Sequence, residues 1–201
     1  MPSLRETLRG PARGSKEFVL CYRRLRLLDP KGQSIVSCSR LSCWKRIDRM
    51  LRAVAVARDA GCDCQLLVAG DGPEKQRLAG LAEELGVAPD VVWLGAVAHE
   101  EIWALMHVAN VFMITNDVTN RCNPLYEAIC AGLPSVSVRH GSAADLLKDG
   151  QNALLAEAGD AERLGQCMHR ILCDGQLAGR LRAEQKRRAE ALWTCEERMA
   201  A

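Results

Sequence analysis

Short runs of apolar residues alternate along the chain with longer segments in which apolar residues recur every three or four positions. An unbroken apolar run of about four to eight residues is typical of a strand that is buried on both faces. The runs predict strands over 34–38, 65–69, 91–94, 111–114 and 135–138, with a short sixth strand over 153–155.

The segments between these runs have the spacing of helices with one apolar face. In the first of them, Ile47, Met50, Leu51 and Val54 lie on the same side of a helix. Gly86 is placed to end the second helix. Helices are predicted around residues 47–55, 78–85, 99–107, 126–131, 161–173 and 176–197.

Strands that alternate with helices predict an α/β fold, a doubly wound parallel sheet of the Rossmann-like type in a single domain. In such sheets, ligands bind beyond the carboxyl ends of the strands, at the point where the strand order reverses. The loops that follow the strands are therefore where we expect functional residues.

Composition narrows the class of protein. The chain has 201 residues, of which 48% are apolar and 26% are charged, as is typical of a globular domain. Its formal net charge of +2 argues against a dedicated nucleic-acid-binding protein, which normally has a large basic excess. No apolar run approaches the roughly 20 residues of a membrane-spanning helix, and residues 1–13 lack the apolar core of a signal peptide. We therefore expect a cytoplasmic protein.

Ten cysteines are many for a chain of this length. The closely spaced pairs, Cys62 with Cys64 and Cys38 with Cys43, do not have the CxxC spacing of a structural zinc site. Because a reducing compartment is expected, we predict free thiols, with a zinc site as the alternative.

Residues 1–33 differ in composition from the rest of the chain. As far as Arg26 they contain seven basic residues and two acidic residues. A short strand fits residues 18–22, and a turn is expected at 29–32. We interpret residues 1–33 as a basic arm or linker, with contact to an anionic surface such as a membrane as the alternative. The domain itself is predicted over 34–197, with a tail at 198–201.

Two cations follow the first predicted strand. Arg40 and Lys45 precede a helix, an arrangement that suits a diphosphate. A guanidinium can bind two oxygens at once, and an ammonium adds a point charge. Taken alone, the pair fits a solvated loop equally well.

A second candidate segment follows the fourth predicted strand. Asn123 is a favourable helix cap and Pro124 fits a first turn, and the free backbone amides of a helix start bind phosphate. Glu127 lies about one turn further on, where it is suited to accept hydrogen bonds from hydroxyls such as those of a ribose. The alternative for Glu127 is a favourable charge near the helix N-terminus.

Other recognisable motifs are weak or absent. Gly70 and Gly72 permit either a tight turn or close approach of a ligand after the second strand. The sequence has no GxGxxG after a strand, no GxxxxGK[ST] loop and no GxSxG segment, so dinucleotide, P-loop and hydrolase interpretations lack their fingerprints. The four histidines show no metal-binding spacing, and His99 is expected to cap or precede a helix.

Taken in order, these loops resemble the nucleotide-sugar-binding, C-terminal half of GT-B glycosyltransferases, in particular the retaining enzymes of glycosyltransferase family four. The resemblance covers residues 34–197. Each motif is weak alone, but the order and spacing together are a strong signal. The motifs are the Arg-x4-Lys element at 40–45 and the segments 68–74, 93–97, 123–128, 131–134 and 149–155.

The resemblance implies a role for individual residues. Arg40 and Lys45 would be the catalytic cations, which neutralise the donor diphosphate as it leaves without the help of a metal ion. No cofactor is implied beyond the nucleoside diphosphate sugar itself. The implied donor-binding residues are Gly72, Val97 beside the base, Asn123, Pro124 and Leu125 through their backbone at the phosphates, and Glu127 at the ribose.

One position departs from the family pattern. Eight residues before Glu127, where the family usually has a glutamate that contacts the donor sugar, this chain has Thr119. Recognition of the sugar is then expected to involve Asp117, Asn120 or Arg121. Other members of the family have a similar Asp-x-Ser/Thr-Asn loop, so the change does not by itself imply inactivity.

A complete GT-B enzyme has two Rossmann-like domains, the first of which binds the acceptor. Only about 33 residues precede the domain here, too few for such a partner. The predicted function is therefore to bind a nucleotide sugar for transfer to an acceptor held by a missing or separate domain. A membrane-bound partner chain would bring the protein to a membrane. The alternative from another class is a non-catalytic partner or scaffold subunit that keeps the fold.

Overall fold

The computed structural model of the protein describes residues 33–117, 123–140 and 143–199. Most of the basic arm, its expected strand at 18–22 and the candidate residues Asn120 and Arg121 lie outside these ranges. The strands are β1 (Gln33–Cys38), β2 (Cys64–Ala69), β3 (Val91–Gly95), β4 (Val111–Ile114), β5 (Ser135–Val138) and β6 (Ala153–Ala156). The helices are α1 (Ile47–Asp59), α2 (Lys75–Glu84), α3 (His99–Val108), α4 (Asn123–Cys130), α5 (Ala143–Leu146), α6 (Ala161–Cys173) and α7 (Gly175–Met199).

The six strands form one parallel sheet in the order β3-β2-β1-β4-β5-β6. β1 pairs with β2 along its whole length, from Gln33 opposite Cys64 to Cys38 opposite Ala69. On its other side β1 pairs with β4. The chain therefore winds outward in both directions from β1, and the strand order reverses between β1 and β4. The predicted α/β fold with a doubly wound parallel sheet is confirmed, and the reversal fixes where a ligand is expected.

The core has two layers, one on each face of the sheet. Alternate residues of one strand enter different layers, as Ile35 packs with α1 and α6 while Val36 packs with α3 and α4. Both side chains are fully buried, which explains why the strands are apolar throughout rather than at every second position. Burial of each such side chain contributes about 1.5–3 kcal/mol.

Helix α7 is held against the sheet by a buried polar network as well as by apolar contacts. The fully buried Gln185 donates from Nε2 to the backbone oxygen of Leu133 at 3.2 Å and to the hydroxyl of Ser135 at 3.0 Å. Its Oε1 accepts from Asn152 at 3.2 Å. The amide of one residue thus joins α7 to the turn before β5 and to the loop before β6.

The boundaries differ from the sequence-based expectations in a few places. Helix α4 begins at Asn123 rather than at 126, because Pro124 is suited to a first helical turn. A 3-10 turn at Cys43–Lys45 and the four-residue helix α5 were not predicted. Both are too short for apolar periodicity to show. None of the helices in the described ranges is long and apolar enough to cross a membrane.

Seven cysteines, at positions 38, 43, 62, 64, 130, 167 and 173, are free thiols, as predicted. Cys62 and Cys64 are both buried. Burial and the neighbouring thiol of Cys62 raise the pKa of Cys64 to about 12. This thiol therefore stays protonated at neutral pH and behaves as a small apolar side chain.

Candidate functional site

A cleft of about 530 Å³ opens at the carboxyl edge of the sheet, beyond the ends of β1, β2 and β3. Four of the predicted site residues, Arg40, Gly72, Val97 and Pro124, line it. They come from loops that follow three different strands and from the first turn of α4. The rule that ligands bind beyond the carboxyl ends of parallel strands thus brings together residues that are far apart in sequence.

The segment after β1 crosses directly over the loop after β2, and two glycines allow this close approach. The Leu41 amide donates to the backbone oxygen of Asp71 at 2.9 Å, and the Glu74 amide donates to the backbone oxygen of Leu41 at 3.1 Å. A Cβ atom would lie 1.9 Å from the Ser39 oxygen at position 70 and 2.3 Å from the Leu41 oxygen at position 72. Glycine at these positions is therefore required by the protein's own backbone.

The two candidate cations lie on the same loop. Arg40 is exposed on the lip of the cleft, while Lys45 is half-buried at the end of the 3-10 turn. The hydroxyl of Thr115, which follows β4, donates to the backbone oxygen of Arg46 at 2.8 Å. The amide of Asp117 donates to the Trp44 oxygen at 3.0 Å. The segment 39–46, which contains Arg40 and Lys45 and is called the cation loop below, is therefore fixed to the loop after β4. The two loops meet across the point where the strand order reverses.

Two arginines that follow β1 hold Asp117, which follows β4. Its carboxylate contacts Arg49 Nη1 at 2.6 Å and Arg46 Nη1 at 3.0 Å. Burial alone would raise the pKa of Asp117, but the hydrogen bonds from both guanidinium groups outweigh it and lower that pKa. A donor role for Asp117 stays a prediction, and in this structure its carboxylate is occupied by Arg46 and Arg49.

Arg46 has an unusual backbone for a residue with a side chain. Its φ of 51° lies in the left-handed region, which costs a non-glycine residue about 1–2 kcal/mol. The side chain also forms an ion pair with Asp48 at 2.9 Å. The two carboxylates, Asp48 and Asp117, raise the pKa of Arg46, mainly through hydrogen bonds, and help to stabilise this conformation.

The predicted residues of α4 divide between surface and core. Asn123 is exposed and Pro124 lines the cleft, while the Leu125 side chain is buried in the layer beneath. Leu125 can therefore contribute to a site here only through its backbone. Asn120 lies outside the described residues.

Glu127 is a buried carboxylate, with a side chain only 3% exposed. His99, the first residue of α3, faces it with Nδ1 at 3.6 Å from Oε1. The other oxygen, Oε2, is buried and has no hydrogen-bond partner among the described residues. Burial raises the pKa of Glu127, and His99 opposes that effect only in part.

Sequence reasoning gave Arg49 no role, and it expected His99 only to cap or precede a helix. His99 follows β3 at the carboxyl edge, so the same loop rule could have found it. Arg49 stands within the apolar pattern of α1, and nothing in that pattern indicates a buried arginine. In the described part of the chain, no three His, Cys, Asp or Glu side chains are grouped as metal ligands would be.

Comparison with known sequences identifies the family. The sequence profile described as "Glycosyl transferases group 1" matches residues 22–189. The chain belongs to the glycosyl transferases group 1 family. The predicted resemblance to glycosyltransferases is confirmed at this level.

Two curated relatives of this group 1 domain are glycosyltransferases with different named activities. The lipopolysaccharide core biosynthesis glycosyltransferase LpsE of Rhizobium meliloti is 32% identical over 127 residues, which are 63% of this chain and 36% of LpsE. A GDP-mannose-dependent alpha-(1-6)-phosphatidylinositol monomannoside mannosyltransferase of Mycobacterium tuberculosis is 26% identical over 200 residues, 96% of this chain and 48% of that protein. The chain spans about a third to a half of the length of these relatives.

Solved structures agree on the fold of the group 1 domain. HepE from Anabaena, crystallised in complex with UDP, has a TM-score of 0.79 and 21% identity, and the match covers 93% of this chain and 52% of HepE. At this identity the likeness shows the fold alone. The fold is that of the Rossmann-like C-terminal domain of GT-B glycosyltransferases.

Proposed function

We propose that this domain binds a nucleoside diphosphate sugar as the donor for a retaining, metal-independent glycosyl transfer. The acceptor would be held by a domain or chain outside the described structure. One observation carries the proposal. A cleft lies where the strand order reverses, and the exposed Arg40 stands on its lip. The helix whose first turn borders the same cleft carries Glu127 one turn further on, a buried carboxylate with one oxygen that has no hydrogen-bond partner among the described residues.

Arg40 and Lys45 would interact with the diphosphate. As the bond to the sugar breaks, negative charge develops on the leaving diphosphate, and cations fixed in advance stabilise that charge more than they stabilise the ground state. The contacts from Thr115 and Asp117 to the cation loop support this role, because they hold the loop in place before the ligand arrives. Neutralisation by Arg40 and Lys45 would make a metal ion unnecessary.

The first turn of α4 would accept the phosphates through its backbone amides. Asn123 is exposed there and Pro124 borders the cleft. Free amides at a helix start, together with the helix dipole, favour an anion. Gly72 and Val97 line the same cleft, where Val97 would lie beside the base.

Glu127 would accept hydrogen bonds from the ribose hydroxyls. A buried carboxylate with an unpartnered oxygen is costly in a free protein. A hydroxyl donor brought by a ligand would satisfy that oxygen. Because Glu127 carries negative charge, it would interact unfavourably with phosphate, so the ligand is oriented with its ribose at Glu127 and its diphosphate at Arg40.

The finer assignments rest on the family resemblance. The order of the sequence motifs, which resembles that of glycosyltransferase family four, supports a donor reaction with retention of the anomeric configuration. The name of the Mycobacterium tuberculosis relative mentions GDP-mannose, and HepE was crystallised with UDP. UDP and GDP are therefore the two nucleotides to test first.

Isothermal titration calorimetry of the full chain with UDP and GDP, in the presence of a metal chelator, tests the proposal. We expect one of the two to bind, and Arg40→Ala to weaken that binding by about tenfold or more, because a charged hydrogen bond contributes about 1.5–3 kcal/mol. Arg139→Ala is the matched control, since Arg139 is an exposed arginine that pairs with Asp149 and Glu157 away from the cleft. Binding of neither nucleotide, or equal losses in both variants, would contradict the proposal.

A further inference from the structure

The pair formed by His99 and Glu127 is asymmetric in its exposure. The imidazole of His99 is 43% exposed, while the Glu127 side chain is 3% exposed. His99 comes from the start of α3 and Glu127 from the second turn of α4, two helices on the same face of the sheet. The residues that link β3 to α3 include Ala96 and Val97, which line the cleft. His99 therefore lies two residues after the cleft-lining Val97 and contacts the buried carboxylate of Glu127.

The two oxygens of Glu127 have different surroundings. Oε1 faces His99 Nδ1 at 3.6 Å, a distance that suits an ion pair but is longer than a hydrogen bond. Oε2 is buried and has no partner. A carboxylate retained only for stability would be expected to have both oxygens satisfied. One oxygen of Glu127 therefore has an imidazole neighbour, and the other is left without a partner among the described residues for a donor group to satisfy.

The electrostatic surroundings of this pair are simple. Among the described residues, His99 is the only charged or titratable group that acts appreciably on Glu127. On its own helix, His99 is followed by Glu100 and Glu101, and the Glu101 carboxylate accepts from the Ala98 amide at 3.0 Å. Removal of the imidazole would therefore leave the Glu127 carboxylate without a described counter-charge.

We propose that His99 is a positioning residue for the nucleotide ribose: its imidazole fixes Oε1 of Glu127, so that Oε2 is aimed at a ribose hydroxyl. This inference rests on the proposed function and names the side chain on which the ribose contact depends. His99 need not touch the ligand. Its effect is to hold the acceptor oxygen in place and to keep the carboxylate charged, so that it accepts a stronger hydrogen bond.

The inference predicts a change in preference rather than a uniform loss of binding. The full chain is titrated with UDP or GDP, whichever it binds, and with the matching 2′-deoxy and 3′-deoxy nucleotides. We expect the unaltered protein to prefer the ribonucleotide over at least one deoxy form by about tenfold. His99→Ala should remove that preference, because it weakens binding of the ribonucleotide while leaving binding of that deoxy form nearly unchanged. His99→Gln, which keeps a hydrogen-bond donor, should restore part of the preference.

A second histidine on the same helix distinguishes positioning of Glu127 from a general effect of altering α3. His107→Ala is the matched control, since His107 lies on α3 and its Nδ1 contacts the Trp103 backbone oxygen at 2.8 Å rather than Glu127. This control should keep the full preference for the ribonucleotide.

The outcomes separate the two proposals. If neither nucleotide binds to the unaltered protein, the proposed function fails and this inference fails with it. If a nucleotide binds but shows no preference over either deoxy form, or if His99→Ala keeps the full preference, the positioning role of His99 is wrong while donor binding stands. Thermal unfolding of each variant identifies a general loss of structure. If His99→Ala loses its structure, the ribonucleotide preference of His99→Gln decides, and a complete loss of preference in a folded His99→Gln protein would contradict the partial rescue expected above.

Discussion

Arg49 on α1 and Asp117 after β4 form an ion pair at 2.6 Å across the point where the strand order of the sheet reverses. Arg49 also donates to the backbone oxygen of Thr115 at 3.2 Å. One buried arginine thus fixes two residues of the segment that follows β4. This contact determines how the loop after β4 meets the cation loop.

Replacement of Asp117 by Asn should destabilise the domain. The change leaves the buried Arg49 guanidinium without its carboxylate, and loss of one partner from a fully buried pair costs about 3–5 kcal/mol. Because the Asp117 side chain is 38% exposed, we expect a smaller loss of about 1–2 kcal/mol, which corresponds to a decrease in Tm of about 3–6 °C. Differential scanning calorimetry measures it, and Asp149→Asn, at an exposed ion pair with Arg139, is the control.

The effect of Asp117→Asn should also depend on pH. Since the folded-state pKa of Asp117 is lowered, its contribution to stability is present above its ordinary value of 3.8 and is lost as the pH falls through the lower folded value. The difference in Tm between the two proteins should therefore be constant near neutral pH and shrink below about pH 4. A difference that grows on acidification would show that another group is responsible.

The assignment of Asp117 to sugar recognition can be tested with the same variant. If its carboxylate also contacts the donor sugar, Asp117→Asn should weaken binding of the sugar nucleotide more than binding of the nucleoside diphosphate. If Asp117 acts only through Arg46 and Arg49, both ligands should be affected equally.

Replacement of Gly72 by Ala should disrupt the cleft floor. The added methyl group would lie 2.3 Å from the Leu41 oxygen, so the crossing of the two loops must shift. We expect a loss of about 1–3 kcal/mol in stability and weaker nucleotide binding. Gly80→Ala on α2 is the matched control, because nothing lies within 4 Å of its added Cβ. The control should be neutral or more stable by up to about 1 kcal/mol.

Replacement of Glu127 by Gln should raise stability and lower affinity. Burial raises the pKa of Glu127, so the ionised side chain opposes folding above the raised value and has no such effect below its ordinary value of 4.5. We expect Tm to rise by roughly 2–4 °C at neutral pH, the shift produced by about 1 kcal/mol in a domain of this size. The gain should disappear as the pH falls through the raised pKa towards 4.5. A decrease in Tm at neutral pH would contradict this account.

Replacement of Gln185 by Leu should destabilise the domain without affecting the cleft. The Ser135 hydroxyl would still donate to the Leu133 oxygen at 3.2 Å, but one hydrogen of the buried Asn152 amide would lose its partner. An unsatisfied buried group costs about 1–3 kcal/mol, so a decrease in Tm is expected with unchanged nucleotide affinity per folded molecule. Gln166→Leu, at an exposed position on α6, should change Tm little.

The sheet could be predicted from the sequence because each strand is an unbroken apolar run between helical segments. This pattern arises from burial on both faces, and residues such as Ile35 and Val36 satisfy it individually. Helix α5 and the turn at Cys43–Lys45 could not be predicted, since three or four residues contain no complete period. Only the cap residue Asn123 and the first-turn residue Pro124 indicated that α4 begins before residue 126.

The site could be predicted in part for the same reason. Arg40, Gly72, Val97 and Pro124 follow strands or open a helix, and the parallel sheet brings those positions to one edge. The pairing of Glu127 with His99 and of Asp117 with Arg49 could not be predicted this way. His99 does follow a strand, but which side chains meet depends on packing between helices and loops, for which a single sequence has no local signal.

The proposed function requires Arg40 and Glu127 to contact opposite ends of one nucleotide. A crystal structure of the full chain with UDP or GDP, whichever binds, would show both contacts at once. We expect the distal phosphate beside the Arg40 guanidinium and a ribose hydroxyl within hydrogen-bond distance of Glu127 Oε2. A nucleotide bound in the cleft with its phosphates away from Arg40, or with Glu127 Oε2 still unpartnered, would be incompatible with the proposed function.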